Sequence, residues 1–185
     1  SHRKSLLDAP LLAANSKSQD TIKSDKFGVP AAKEKPINDP KKNEQAFLKL
    51  IRSYEHVRDA PIIYHTAYGG KDFKTYENHP FERPEIIKKW GLRNTAAGAY
   101  QILLKTWKQV KDKVPVNDFT PESQDKVALY LIKDKRALTL VQAGEIEKAI
   151  PLLRGIWTSF PGGSQNKKMP TLKDARALFD KFVAE

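Results

Sequence analysis

Glu55 follows Tyr54 just beyond an apolar stripe of Phe47, Leu50, Ile51 and Tyr54, and it precedes a segment rich in aromatic residues. A carboxylic acid shielded by apolar neighbours keeps its proton to higher pH, because desolvation disfavours the anion. Such an acid can protonate the oxygen of a glycosidic bond. The same residues also describe an exposed glutamate at a helix end, and on composition alone that plainer arrangement is far commoner. Asp72, beside Gly69-Gly70, offers either a second carboxylate able to activate water or a solvated turn residue. His56 reads as a surface residue. His and acidic residues show no metal-ligand spacing. No cysteine is present, so disulfides, thiol catalysis and thiolate metal sites are excluded. No phosphate-cradling loop is evident. Neither a metal nor an organic cofactor is implied.

The elements that must position these groups follow from periodicity. Phe47, Leu50, Ile51 and Tyr54 fall on one face of a helix that Asn43 can cap. Ile62-Ile63-Tyr64 and Phe73 to Tyr76 flank Gly69-Gly70, which predicts a small hairpin or β-lobe over 61–76. Pro84 and Gly91 bracket a short helix. A longer helix is expected from about Ala97 to Lys111. Thr120-Pro121-Glu122 starts another, extending into the 130s. A helix over about 145–158 should bend at Pro151. Thr171 caps a last helix whose apolar face is Leu172, Ala175, Leu178, Phe179 and Phe182. Trp107 and Trp157 belong to the core. His79-Pro80 fixes a loop.

This order of elements resembles the lysozyme-like layout, an α+β fold that is mainly helical with a small β-hairpin lobe. Local segments sharpen the resemblance. Residues 47–55 look like the catalytic helix of the bacteriophage lambda endolysin family. Tyr64, Gly69-Gly70, Phe73, Tyr76 and His79-Pro80 stand in register with that family's hairpin, and Gly98-Ala99-Tyr100-Gln101 matches its Gly-x-Tyr-Gln element. Asp118 to Asp125, Val127 to Leu129, Ala137-Leu138, Gly144 to Ile146, Ala149-Ile150, Ile156-Trp157 and Phe160 to Gly162 follow in order. The match runs over about residues 46–182 and is carried by many weak motifs in sequence.

The resemblance implies a peptidoglycan lytic transglycosylase. Such an enzyme cuts the β-1,4 bond between N-acetylmuramic acid and N-acetylglucosamine and forms a 1,6-anhydro ring without consuming water. One carboxyl serves both halves of that reaction, and the resemblance places the role on Glu55. It makes Tyr100 and Gln101, at an expected helix start, the next candidates, as groups that bind sugar hydroxyls and N-acetyl groups. Core packing for Tyr100 and a helix-start hydrogen bond for Gln101 are equally open. Tyr64 and Tyr76 can stack on sugars or cover the core. Gly162-Gly163 with Gln165 forms either a cleft-lining loop or a simple turn. Two positions depart from the family pattern: Tyr54 stands where the family commonly has Ser, and His56 where it has Gly. A hydrolytic muramidase using Asp72, and a non-catalytic wall-binding or virion structural protein, are the competing readings.

Composition shifts near residue 44. Residues 1–44 hold one aromatic, four prolines, nine Lys/Arg and six Asp/Glu. Such a stretch buries little apolar surface, so it reads as an N-terminal extension or linker, with the catalytic domain over 45–185. The whole chain of 185 residues carries a net charge of +11, of which +8 lies beyond residue 44. A basic surface attracts polyanions, and peptidoglycan is anionic through its peptide carboxylates. No nucleic-acid module accompanies the charge, and no stretch is long and apolar enough for a membrane span. The expected partner is the peptidoglycan glycan strand, with a phage or envelope partner through residues 1–44. The expected place of action is the periplasm or cell wall, for a phage-derived, virion-associated or exported protein.

Overall fold

The computed structural model describes residues 38–58, 60–91 and 94–185. The extension over residues 1–37 therefore lies outside the described residues. The first helix, α1, spans Pro40–Glu55, so residues 40–44 belong to the folded domain rather than to the extension. Asp39, not Asn43, is its N-cap. The Asp39 carboxylate accepts from the Lys42 amide, and Pro40 supplies a first-turn residue with no N–H to satisfy. Asn43 is instead buried and donates to the Gln142 carbonyl and to Asn38 Oδ1, each at 2.8 Å.

Ala46, Phe47, Leu48, Leu50 and Ile51 are all buried, so α1 is enclosed on more than the one face that the 47/50/51/54 stripe predicts. It packs chiefly on α7 (Leu172–Val183) and α5 (Leu138–Gln142), and also on α4 (Pro121–Asp134). The remaining helices are α2 (Pro84–Trp90), α3 (Leu104–Val110) and α6 (Ile146–Leu153). Thr120 caps α4 through its side chain, and Thr171 and Asp174 form a reciprocal capping box on α7, as the sequence predicts. Gly91 ends α2 in the left-handed region. Pro151 falls in the last turns of α6, and the helix stops at Leu153 rather than bending on to 158.

The β element is smaller than expected. Strands β1 (Thr66–Ala67) and β2 (Lys71–Asp72) pair antiparallel around the Gly69-Gly70 turn, with Thr66 opposite Asp72. Ile62 to His65 form a 3-10 turn instead of a strand. The expected helix over 97–111 is also shorter. Ala97 bridges both Ala67 and Ile102, and the chain from Gly98 to Gln101 makes a tight turn before α3 begins. Gly98 has φ +81° and Gln101 φ +48°, conformations that no helix admits.

The cause is Gln124, which is completely buried in the first turns of α4. Its Oε1 accepts from the Ala99 amide at 2.9 Å, and its Nε2 donates to the carbonyls of Tyr64 (2.9 Å) and Phe119 (2.7 Å). One side chain thus ties the 3-10 turn that leads into the hairpin, the 98–101 turn and the start of α4 together. A Cβ on residue 98 would lie 2.2 Å from Gln124 Oε1, so only glycine fits there. Below this junction, Phe119 packs against Trp107 (4.8 Å between ring centroids) and His79 (4.9 Å). His79 Nε2 donates to the Ile102 carbonyl at 2.8 Å while Nδ1 accepts from the Phe81 amide. That pairing fixes one neutral tautomer, and burial pushes the imidazole down to about 4. His79 is a loop fastener. Trp107 and Trp157 are both core residues.

Gln124→Leu should leave an amide and two carbonyls without partners in a dry site. A loss of about 3 kcal/mol or more is expected in chemical denaturation. A loss under about 1 kcal/mol would show that Gln124 does not hold the three segments.

Candidate active site

Glu55 is the last residue of α1 and lines a groove of about 560 Å³. One wall is the hairpin, Thr66 through Gly70, continued by Ala96 and Gln101. The other wall is the segment after α6, with Gly155, Ile156, Thr158 and Gln165. Among the described residues that line the groove, Glu55 is the only carboxylate.

Burial pushes the Glu55 carboxyl up to about 7. Its place at the negative end of α1 acts in the same direction, because the terminal carbonyls disfavour an anion. The Ser159 hydroxyl opposes both, since a donor to the carboxylate favours the ionised form. Ser159 Oγ is fully buried and completes no hydrogen bond of good geometry, so its pull on Glu55 is a weak counterweight to burial. A carboxyl poised near neutrality can give a proton and take one back in successive steps.

The turns around α1 are held by the two residues that depart from the family pattern. His56 is half-buried, not a surface residue. Its Nε2 lies 3.1 Å from the carbonyls of both Gly98 and Ala99. Two acceptors require Nε2 to carry the proton, so His56 is a donor that pins the end of α1 to the 98–101 turn. Burial holds its pKa below the ordinary value. Tyr54 packs edge-on against Phe160 at 5.2 Å and donates its hydroxyl to the Met169 carbonyl at 3.1 Å.

Of the residues expected to contact sugar, Gln101 does line the groove. Its Nε2 donates to the carbonyls of Thr66 and Gly98, which supports its own strained backbone and leaves the amide oxygen to present to a ligand. Tyr100 and Tyr64 do not reach the groove. Tyr100 is completely buried, and Tyr64 is 8% exposed. Both hydroxyls donate to Asp125 Oδ1, at 2.5 and 2.9 Å, while Arg52 Nη1 donates to Tyr100 Oη at 2.8 Å. The Trp157 indole also donates to the Tyr100 carbonyl. These tyrosines form a polar cluster apart from the groove lining, because each hydroxyl finds an acceptor in the half-buried Asp125. Tyr76 packs on Phe73 and His65 and is absent from the groove lining. An aromatic that the sequence reading missed does line it: Tyr68, 44% exposed on the hairpin turn. The available signal was an aromatic directly preceding the Gly69-Gly70 turn.

Asp72 lies outside the groove lining. Arg58 grips it at 2.9 Å and Thr66 Oγ1 donates to it at 3.0 Å. The Arg58 guanidinium holds that exposed carboxyl below its usual range, so it stays ionised. Gln165 reaches the groove and accepts from Thr158 Oγ1, while Gly162 and Gly163 shape the turn behind it. Among the described residues no three His, Asp or Glu side chains converge as a metal site, and no helix is long and apolar enough to cross a membrane.

Comparison with known proteins gives a consistent result. The sequence matches the family described as Endolysin over residues 45–185. An endolysin of Escherichia phage P2 is 33% identical over 150 residues, covering 75% of this chain and 91% of the relative. An endolysin of Escherichia phage lambda is 38% identical over 99 residues, covering 54% of this chain and 61% of the relative. A solved structure of bacteriophage lambda lysozyme complexed with a chitohexasaccharide superposes with a TM-score of 0.65 at 29% identity, over 76% of this chain and 94% of that one.

Two outcomes test the electrostatics. Folded Glu55 keeps its proton to about pH 7, against about 4.5 when exposed, so folding takes up a proton in that interval. Its contribution to stability is full below the unfolded value and is lost as pH rises through the folded one. Glu55→Gln should therefore be about 3 kcal/mol more stable than the wild type at about pH 8 and equal to it below about pH 4. Parallel stability curves would refute the buried acid. Ser159→Ala should move the Glu55 titration, followed by carboxyl NMR, to higher pH; a downward move would contradict the role given to the hydroxyl.

Proposed function

The chain belongs to the endolysin family, and from that premise we propose that it is a lytic transglycosylase acting on the glycan strands of peptidoglycan. As an endolysin it is a lysozyme-like enzyme that cleaves peptidoglycan. The finer reading concerns what attacks the sugar. A single buried carboxyl in the groove, Glu55, supports it best. Hydrolysis by the usual route draws on two carboxylates flanking the bond, and the nearest expected partner, Asp72, is engaged by Arg58 outside the groove lining.

Glu55 first donates its proton to the oxygen between N-acetylmuramic acid and N-acetylglucosamine as that bond breaks. The carboxylate left behind then accepts the proton of the muramic 6-hydroxyl as this oxygen closes on C1. The products are a 1,6-anhydromuramic end and a free N-acetylglucosamine 4-hydroxyl, and Glu55 ends protonated as it began. An acid near neutral pKa suits both halves. Gln101 and Tyr68 hold the sugars, one by its amide oxygen and the other by its ring face. The muramidase reading differs in using water with Asp72 assisting. The enzyme is phage-derived and acts on the cell wall, reached through the periplasm; the residues that precede the folded domain, 1–37, serve as an extension that tethers or delivers it.

Digestion of purified sacculi tests the reading. Released muropeptides should be lighter by one water than the reducing-end products of hydrolysis. Reducing ends instead would establish the muramidase. Glu55→Gln should lower the rate by at least about a hundredfold with the fold intact, and Asp72→Asn should leave it within about threefold. A large loss in Asp72→Asn would restore the second carboxylate.

A further inference from the structure

A second groove, of about 610 Å³, shares His56, Val57 and Arg58 with the Glu55 groove, so the two adjoin at the end of α1. Its lining is strongly cationic. Lys49, Arg52, Arg58, Lys168 and Lys181 face a single described carboxylate, Glu185. Three of the cations are engaged: Lys49 pairs with Glu185, Arg58 with Asp72, and Arg52 donates to Tyr100. Lys168 and Lys181 are exposed and form no ion pair with any described residue. Lys168 stands on the loop whose next residue is pinned by the Tyr54 hydroxyl, so its backbone is tied to α1.

We propose that this groove binds the carboxylate-bearing stem peptide of the glycan strand, with Lys168 and Lys181 as its anion contacts. The inference rests on the reading of the chain as a peptidoglycan-cleaving enzyme. Peptidoglycan differs from an unsubstituted amino-sugar polymer in that each muramic residue bears a lactyl-linked peptide with free carboxylates. That residue is one of the two flanking the scissile bond. With the bond at Glu55, the peptide leaves the strand within about one sugar of the catalytic carboxyl. It must then pass over a rim of the Glu55 groove, and the rim at His56, Val57 and Arg58 opens onto unpaired positive charge. Phosphate polymers of the wall would also be attracted, but nothing ties them to a place beside the cut.

The test compares two substrates: purified glycan strands with their peptides, and the same strands stripped by an amidase. Wild type should show the higher kcat/KM on peptide-bearing strands. In the Lys168→Met/Lys181→Met double variant that preference should fall about fivefold or more, through KM, and the paired Lys→Arg variant should restore it. An unchanged preference, or an equal fall on both substrates, would overturn the proposal. Absence of cleavage of either substrate by wild type would instead overturn the glycan reading. The groove is then judged by calorimetry with the free disaccharide-peptide against the disaccharide. Equal affinities sink it, as does inhibition by polyglycerol phosphate without inhibition by free stem peptide.

Discussion

The buried amide of Gln124 is the interaction on which the geometry of the groove depends. A primary amide offers two donors and two acceptor sites, and a dry interior penalises any that go unused. Gln124 commits both donors and one acceptor site to three backbone groups from separate segments: Tyr64, Ala99 and Phe119. The 3-10 turn that leads into the hairpin wall of the groove and the turn that carries Gln101 are thereby locked to α4, a helix in contact with α1. The close approach needs residue 98 to have no side chain. Position 98 and position 124 are thus one constraint seen from two places in the sequence.

Against this rigid frame Glu55 is held in a state that costs stability. Ion pairs elsewhere, such as Arg176 with Glu147, lower the pKa of their acids and follow the rule that folded carboxylates stay charged. Glu55 does the reverse: burial opposes its ionisation and outweighs the Ser159 hydroxyl, and among the described residues no cation forms an ion pair with it. Arg52, one turn earlier on the same helix, is directed instead to Tyr100 and so to Asp125. Arg52 is thereby committed away from Glu55, whose raised pKa follows from burial and suits an acid working near neutral pH.

Much of this was legible in the sequence, and the parts that were not share a cause. Caps and breakers are local, so Thr120-Pro121, Thr171, Pro84 and Gly91 marked helix ends correctly. Glu55 was placed at its helix end by a simple apolar stripe. The misread helix over 97–103 has acceptable periodicity, but it loses to a contact 25 residues away in Gln124. For Tyr100, at the Gly-x-Tyr-Gln match, and for Tyr64 the sequence leaves sugar contact and core packing equally open. Nothing local announces that Asp125 will supply the acceptor for both hydroxyls. Asn43 looked like a cap because its partner, the Gln142 carbonyl, is 99 residues distant. Periodicity reports which face is apolar, whereas placement of polar groups is decided by long-range pairing.

The two departures from the family pattern next to Glu55 show how a site tolerates changed neighbours. A small residue followed by glycine at 54 and 56 would leave the helix end with few fastenings of its own. Here Tyr54 fills the space toward Phe160 and reaches the Met169 carbonyl, so it fastens the loop that carries Lys168. His56 turns back to the 98–101 carbonyls, so it fastens the helix end to the hairpin side. Both side chains are committed to contacts that the rest of the fold provides. The two side chains thus join the loop at Met169 and the 98–101 turn through α1 itself.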